Sequence, residues 1–230
     1  MDTTDDAKKE EHLTSALGTK QFWDERYCLE LKNFLEYNDE GEVWFGRSAE
    51  NRLISYLTKA GTSLNARIID LGCGNGSLLR RLKCKGFHCL TGVDYCADAI
   101  TLATSLSKGE TKNDEEASNN ISFKVVDLLD PNMNLSLYDV VMDKGTWDAM
   151  SLSEDCDRRL LLYRTLISQI LDDHGIFIIF SCNFTRDELC KRFGMLPLRY
   201  ETEIAAEHSF TFGGKTGLTS TGVVFKKVVE

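Results

Sequence analysis

The 230-residue chain has no apolar run approaching the roughly 20 residues that a helix needs to cross a bilayer. Its opening, Met1-Asp2-Thr3-Thr4-Asp5-Asp6, lacks the basic and apolar stretches of an export signal. A cytoplasmic protein without a membrane partner is expected. No two of the eight cysteines are separated by only two residues, which argues against a zinc knuckle or a redox pair, and the thiols are expected to be reduced. The four histidines, His12, His88, His174 and His208, lie far apart, so no metal site is expected. Positive charge is also in short supply: 27 Lys and Arg against 36 Asp and Glu leave a net charge of -9. That balance disfavours attraction to a nucleic-acid backbone and is compatible with a basic protein partner. What the chain does have is 42% hydrophobic residues at a length suited to one α/β core.

Two stretches are polar and without apolar periodicity: residues 1–18, expected to be a disordered tail, and residues 107–120, expected to be a mobile insertion. After the tail, Thr19 can cap a helix with an apolar stripe through Trp23, Tyr27 and Leu31. A second helix is expected from Ser48, burying Leu53, Ile54 and Leu57. Strands then alternate with helices: strand 67–70, helix 77–83, strand 88–94, helix 97–106, strands 121–126 and 138–143, helix 157–171, strand 175–181. Thr185 and Glu188 form a capping box ahead of helix 187–193. This rhythm predicts an α/β, Rossmann-like, doubly wound and mostly parallel sheet. After Pro197 the segments 198–205 and 221–228 read as strands with no helix between them, a closing antiparallel hairpin. Residues 19–230 are therefore expected to form one domain, with helices at its N-terminus.

The most informative segment is Ile68-Ile69-Asp70-Leu71-Gly72-Cys73-Gly74-Asn75-Gly76, a strand running through an acid into three glycines at alternate positions. Dinucleotide-binding turns space their glycines G-x-G-x-x-G, and here Ser77 occupies the third place. The D-x-G-x-G-x-G pattern resembles instead the class I S-adenosylmethionine (AdoMet) methyltransferases. Gly72, Gly74 and Gly76 would let the backbone press against the cofactor. In open α/β sheets ligands sit beyond the strand ends, where Asp70, Asp94, Asp127 and Asp143 all fall. Asp94 is expected to bind the ribose hydroxyls, or else to cap a helix. Asp127 is expected to accept from the adenine amino group, with Leu128 beside it, or else to form a turn. Asp70 would help orient the methionine amino group, or else brace the glycine turn.

Asp143 opens Asp143-Lys144-Gly145-Thr146-Trp147-Asp148-Ala149 at the end of a strand, where a methyl acceptor must arrive. The acid-or-Asn, Pro, Pro, aromatic tetrapeptide of methyltransferases acting on base or glutamine amides is missing. This segment, together with Phe22-Trp23-Asp24-Glu25-Arg26-Tyr27, Glu42-Val43-Trp44-Phe45-Gly46 and Ser181-Cys182-Asn183-Phe184-Thr185, resembles the elongation factor 1-alpha lysine methyltransferase 2 family over residues 19–228. The resemblance implies a seven-stranded enzyme that transfers methyl from AdoMet to a lysine of translation elongation factor 1-alpha; a monomer in the cytoplasm, or also the nucleus, is expected separately. Asp143 would orient the incoming amine or take its proton through water; its alternative is a structural acceptor. Trp44, Phe45 and Trp147 would wall a lysine channel, or else pack the N-terminal segment, and Asn183 would contact substrate backbone, or else form a turn. Lys144 is expected in a salt bridge or in solvent. A small-molecule or protein N-terminal amine methyltransferase and a catalytically silent AdoMet-binding partner are the competing readings.

Overall fold

A computed structural model describes residues 15–109, 121–205, 210–212, 215–217 and 220–229. Its strands are β1 (Arg67–Leu71), β2 (Cys89–Asp94), β3 (Ser122–Val125), β4 (Tyr138–Lys144), β5 (Leu171–Ser181), β6 (Leu198–Glu203), β7 (Phe210–Phe212), β8 (Lys215–Gly217) and β9 (Thr221–Lys227). Seven of them form one sheet in the order β3-β2-β1-β4-β5-β9-β6, while β7 and β8 pair separately. The first five strands of the sheet are parallel, and β9 lies antiparallel to both β5 and β6. The expected doubly wound sheet with a C-terminal antiparallel closure is thus the observed architecture.

The helices are α1 (Lys20–Tyr37), α2 (Gly46–Lys59), α3 (Ser77–Cys84), α4 (Ala97–Gly109), α5 (Thr146–Ser151), α6 (Cys156–Ile170) and α7 (Arg186–Phe193). Alternation along the strands sends successive side chains to opposite faces. Ile68, Val140 and Ile178 join Leu53, Leu57 and Leu79 on one side. Ile69, Val141 and Phe177 meet Tyr163, Ile167 and Phe193 on the other. Both faces are covered, which is why the parallel strands read as near-continuous apolar runs. The capping box at α7 is present in full, Thr185 accepting from the Glu188 N–H and Glu188 from the Thr185 N–H.

Two boundaries differ from expectation. Ala16–Gly18 is a 3-10 turn with Gly18 buried, so structure begins before residue 19; a Cβ at Gly18 would stand 2.5 Å from the Leu152 carbonyl carbon. At the other polar stretch, α4 continues to Gly109. The rest of both stretches, residues 1–14 and 110–120, lies outside the described residues. The sheet places its topological reversal at β1, whose neighbours are β2 and β4, and a crevice beyond the strand ends is expected there.

Candidate active site

A cavity of about 410 Å³ occupies that crevice, within the usual size of small-molecule sites. Its floor comes from the strand exits. Gly72, Cys73, Gly74 and Asn75 line it after β1, Asp94 and Tyr95 after β2, Asp127 and Leu128 after β3. Lys144, Gly145 and Asp148 do so after β4, and Cys182 and Asn183 after β5. Its roof is the N-terminal segment, where Leu17, Trp23, Tyr27, Trp44 and Phe45 face inward.

The glycine turn has φ of +70° at Gly72, +53° at Gly74 and +71° at Gly76, a region that β-carbons disfavour. A Cβ at Gly72 would fall 2.0 Å from Thr146 Oγ1, and one at Gly74 would fall 2.3 Å from the Tyr27 hydroxyl. Gly76 plays a different part: it precedes α3, does not line the cavity, and a Cβ there would strike Phe123 and Ala103. Its smallness serves helix–sheet packing, not contact with a ligand. Asn75 ties the turn to the roof, its Nδ2 donating to the carbonyls of Glu40 at 3.0 Å and Glu42 at 3.3 Å.

Asp94 accepts from Gly74 N–H at 3.1 Å and Cys96 N–H at 2.9 Å. Burial raises its pKa against the pull of those bonds. Both N–H groups orient a carboxylate that remains on the cavity wall, so bonding to these amides does not withdraw Asp94 from the cavity. Asp127 is similar, since its Oδ1 accepts from Leu129 N–H at 2.9 Å in a local turn while the residue lines the cavity edge. Asp70, within β1, is not among the residues that line the cavity. It is buried, its Oδ1 has no hydrogen-bond partner, and burial pushes its pKa up to about 7. The Lys144 charge opposes that rise.

The roof is fastened at several points. Lys144 Nζ donates to the Trp44 carbonyl at 2.9 Å, replacing the salt bridge or solvent position expected for it. Trp23 Nε1 donates to the Leu17 carbonyl at 2.7 Å, and its ring meets Trp44 edge-on at 4.9 Å between centroids. Phe45 holds φ of +67° and lies against Gly145, where a Cβ would come 2.5 Å from its ring.

Two expectations for the acceptor end are corrected. Asp143 is fully buried and absent from the cavity wall. Its carboxylate accepts from Thr146 N–H at 2.8 Å, Trp147 N–H at 2.9 Å and the Tyr163 hydroxyl at 2.7 Å. Gly145, with φ of +94°, turns the chain so tightly that the first amides of α5 point back at the acid. Burial lifts the Asp143 pKa to about 7 although the bonds from Tyr163 and the two amides oppose it. Asp143 is therefore a structural acceptor. Trp147 is also misplaced by the sequence reading: it is 1% exposed and packs among Tyr163, Phe184 and Phe193 in the core below α5. The acid of this loop that reaches the cavity is Asp148, which periodicity could not separate from Asp143 but which falls five residues later, on the other side of a glycine.

Residues 63–212 match the model of a family described as a methyltransferase domain. The mouse protein EEF1A lysine methyltransferase 2 is 40% identical over 219 residues, covering 95% of this chain and 86% of its own. The Saccharomyces cerevisiae protein-lysine N-methyltransferase EFM4 is 39% identical over 225 residues, covering 93% and 96% respectively. Among solved structures, the methyltransferase domain of bacterial CtHen1-C superposes with a TM-score of 0.62 at 20% identity, over 80% of this chain and 100% of that one. The Synechocystis magnesium protoporphyrin IX methyltransferase with bound SAM gives 0.59 at 15%, over 88% and 97%. These two likenesses speak to the fold. With curated relatives near 40% identity along almost its whole length, the chain belongs to the family of EEF1A lysine methyltransferase 2 and EFM4.

Proposed function

We propose that the protein is an AdoMet-dependent lysine N-methyltransferase acting on translation elongation factor 1-alpha in the cytoplasm, as a monomer that engages neither nucleic acid nor membrane. The observation that carries the reading is one continuous cavity joining the Gly72–Gly74 backbone and Asp94 to an aromatic roof that includes Trp44 and Phe45. The residues present suit AdoMet. The bare turn leaves room for close approach, Asp94 and Asp127 offer acceptors for a nucleoside, and the buried Asp70 Oδ1 stands without a partner within β1. Among the described residues no helix is long and apolar enough to cross a membrane.

AdoMet, when bound, supplies a methyl group on a positively charged sulfur. A lysine acceptor must first lose a proton, which at pH 7 costs about 4–5 kcal/mol from its ordinary pKa. Partial burial of the amine inside the cavity lowers that cost, because desolvation disfavours the charged form. Trp44 and Phe45 present aromatic faces that attract a cation by roughly 0.5–2 kcal/mol while excluding water. Asn183 lines the same cavity and on this reading meets the backbone around the lysine. Fixed walls hold the nitrogen in line, the part of catalysis that proximity supplies.

The test is to incubate the purified protein with unmodified elongation factor 1-alpha and isotopically labelled AdoMet, then locate methyl groups by peptide mass spectrometry. Label on a lysine side chain is expected. Label confined to metabolites would favour a small-molecule enzyme, and label on an N-terminus a terminal amine methyltransferase; binding of AdoMet with no transfer to any lysate fraction would favour a silent partner.

A further inference from the structure

Asp148 is a carboxylate on the cavity wall that holding a nucleoside does not use. It is 5% exposed and ties the β4 side of the crevice to the β5 exit. The Ser181 hydroxyl donates to its Oδ1 at 2.5 Å, while the N–H groups of Cys182 and Asn183 and the Cys182 thiol donate to its Oδ2 at 2.7, 3.2 and 3.2 Å. Other acids on the wall are otherwise engaged. Asp94 and Asp127 stand at the β2 and β3 exits, and Glu42 pairs with Arg26 at 2.7 Å. Among the described residues the interactions of Asp148 are with Ser181, Cys182 and Asn183 and include no cationic side chain, and the neighbouring wall lysine, Lys144, is spent on the Trp44 carbonyl. A buried carboxylate of fixed orientation without a countercharge is a place for a cation to arrive.

Resting on the lysine methyltransferase reading, we propose that Asp148 receives the incoming lysine ammonium and accepts its proton. One N–H bond breaks and one O–H bond forms on the carboxylate. The electron pair stays on nitrogen, ready for attack, and the carboxylic acid returns its proton to water at the cavity mouth after the product leaves. Burial raises the proton affinity of Asp148, and the bonds from Ser181, Cys182 and Asn183 temper it. The titratable groups facing it are Asp143 from β4, itself bonded to Tyr163 of α6, and the Cys182 thiol after β5, which burial pushes up to about 12 and so keeps neutral.

The experiment compares wild type, Asp148→Asn and Ser181→Ala with labelled AdoMet on unmodified elongation factor 1-alpha and, in parallel, on total lysate protein. Asp148→Asn is expected to lower kcat at neutral pH by about 100-fold or more, the usual worth of a general base. Its AdoMet Kd by calorimetry should stay within about twofold, and the deficit should shrink as pH approaches the lysine pKa. Ser181→Ala keeps the carboxylate but removes a donor that lowers its pKa, so the acid limb of the pH–rate profile should move to higher pH. A kcat within about threefold of wild type in Asp148→Asn, a loss that is constant with pH, or loss of AdoMet binding together with activity would overturn the proposal. Should Asp148→Asn fail to fold, an unshifted acid limb in Ser181→Ala would overturn it alone. Wild-type labelling of another protein but not elongation factor 1-alpha would reject the substrate and leave Asp148 to be judged on that protein; no labelling in either arm would reject both.

Discussion

The two ends of the crevice handle their strand-end acids in opposite ways. At the β2 and β3 exits Asp94 and Asp127 bond to nearby amides and still face the cavity, whereas at β4 the first acid, Asp143, is turned into the core and Asp148 takes the wall. The difference lies in where the donors are. Asp94 is held from the glycine turn across the crevice and from Cys96, so its donors and the cavity share a side. Around Asp143 the donors are α5 amides and a core tyrosine, all behind the wall. An acid at a strand end therefore marks the crevice without saying which way its oxygens point.

The largest effect expected from this contrast belongs to Trp147. If it is core, Trp147→Ala should lower the unfolding free energy by about 3–5 kcal/mol in a urea titration, with little change in the KM of folded enzyme for its protein substrate. Unchanged stability with a raised KM would return Trp147 to the channel and erase the asymmetry. At the other end, Asp94→Ala removes an oriented charged acceptor and should weaken AdoMet by about 2–3 kcal/mol in calorimetry, while folding is affected less. Equal AdoMet affinity in that variant would leave the nucleoside end without its anchor.

Asp70 offers a sharper test through pH. Its folded pKa, about 7, lies above the ordinary carboxylate value, so the native state keeps a proton that the unfolded chain releases. The stability this gives is complete below about pH 4 and is lost as pH rises to about 7. Asp70→Asn cannot release that proton. Relative to wild type it should gain about 2 kcal/mol between pH 5 and pH 8 in paired denaturation curves, and a pH-independent difference would show that the buried oxygen is relieved by something else. The smallest effect is expected at the roof, where Trp44→Ala should raise the KM for the protein substrate severalfold, about 1 kcal/mol, with the AdoMet Kd unchanged.

Much of this arrangement was legible in the amino-acid order. Apolar runs alternating with helical stripes specify the parallel sheet, the glycines at 72 and 74 specify the close turn, and Thr185 with Glu188 announces α7. The failures share a cause. Helix α5 spans six residues, too few for periodicity to show, so the inward turn of Asp143 and Trp147 was hidden with it. The 3-10 turn at Ala16–Gly18 is only three residues long, and its place over the cavity depends on contacts with Leu152 that are distant in sequence. Trp23 and Tyr27 were readable as an apolar stripe, but which surface the stripe covers is decided by tertiary packing.

The most direct measurement is a crystal structure of the protein with S-adenosylhomocysteine. The ribose hydroxyls are expected on Asp94, the adenine between Tyr95 and Leu128, and the sulfur directed toward the space bounded by Trp44, Asp148 and Asn183. A ligand lying outside this cavity, or one whose sulfur faces the β3 exit, would contradict the division of the crevice into a nucleoside end and an acceptor end.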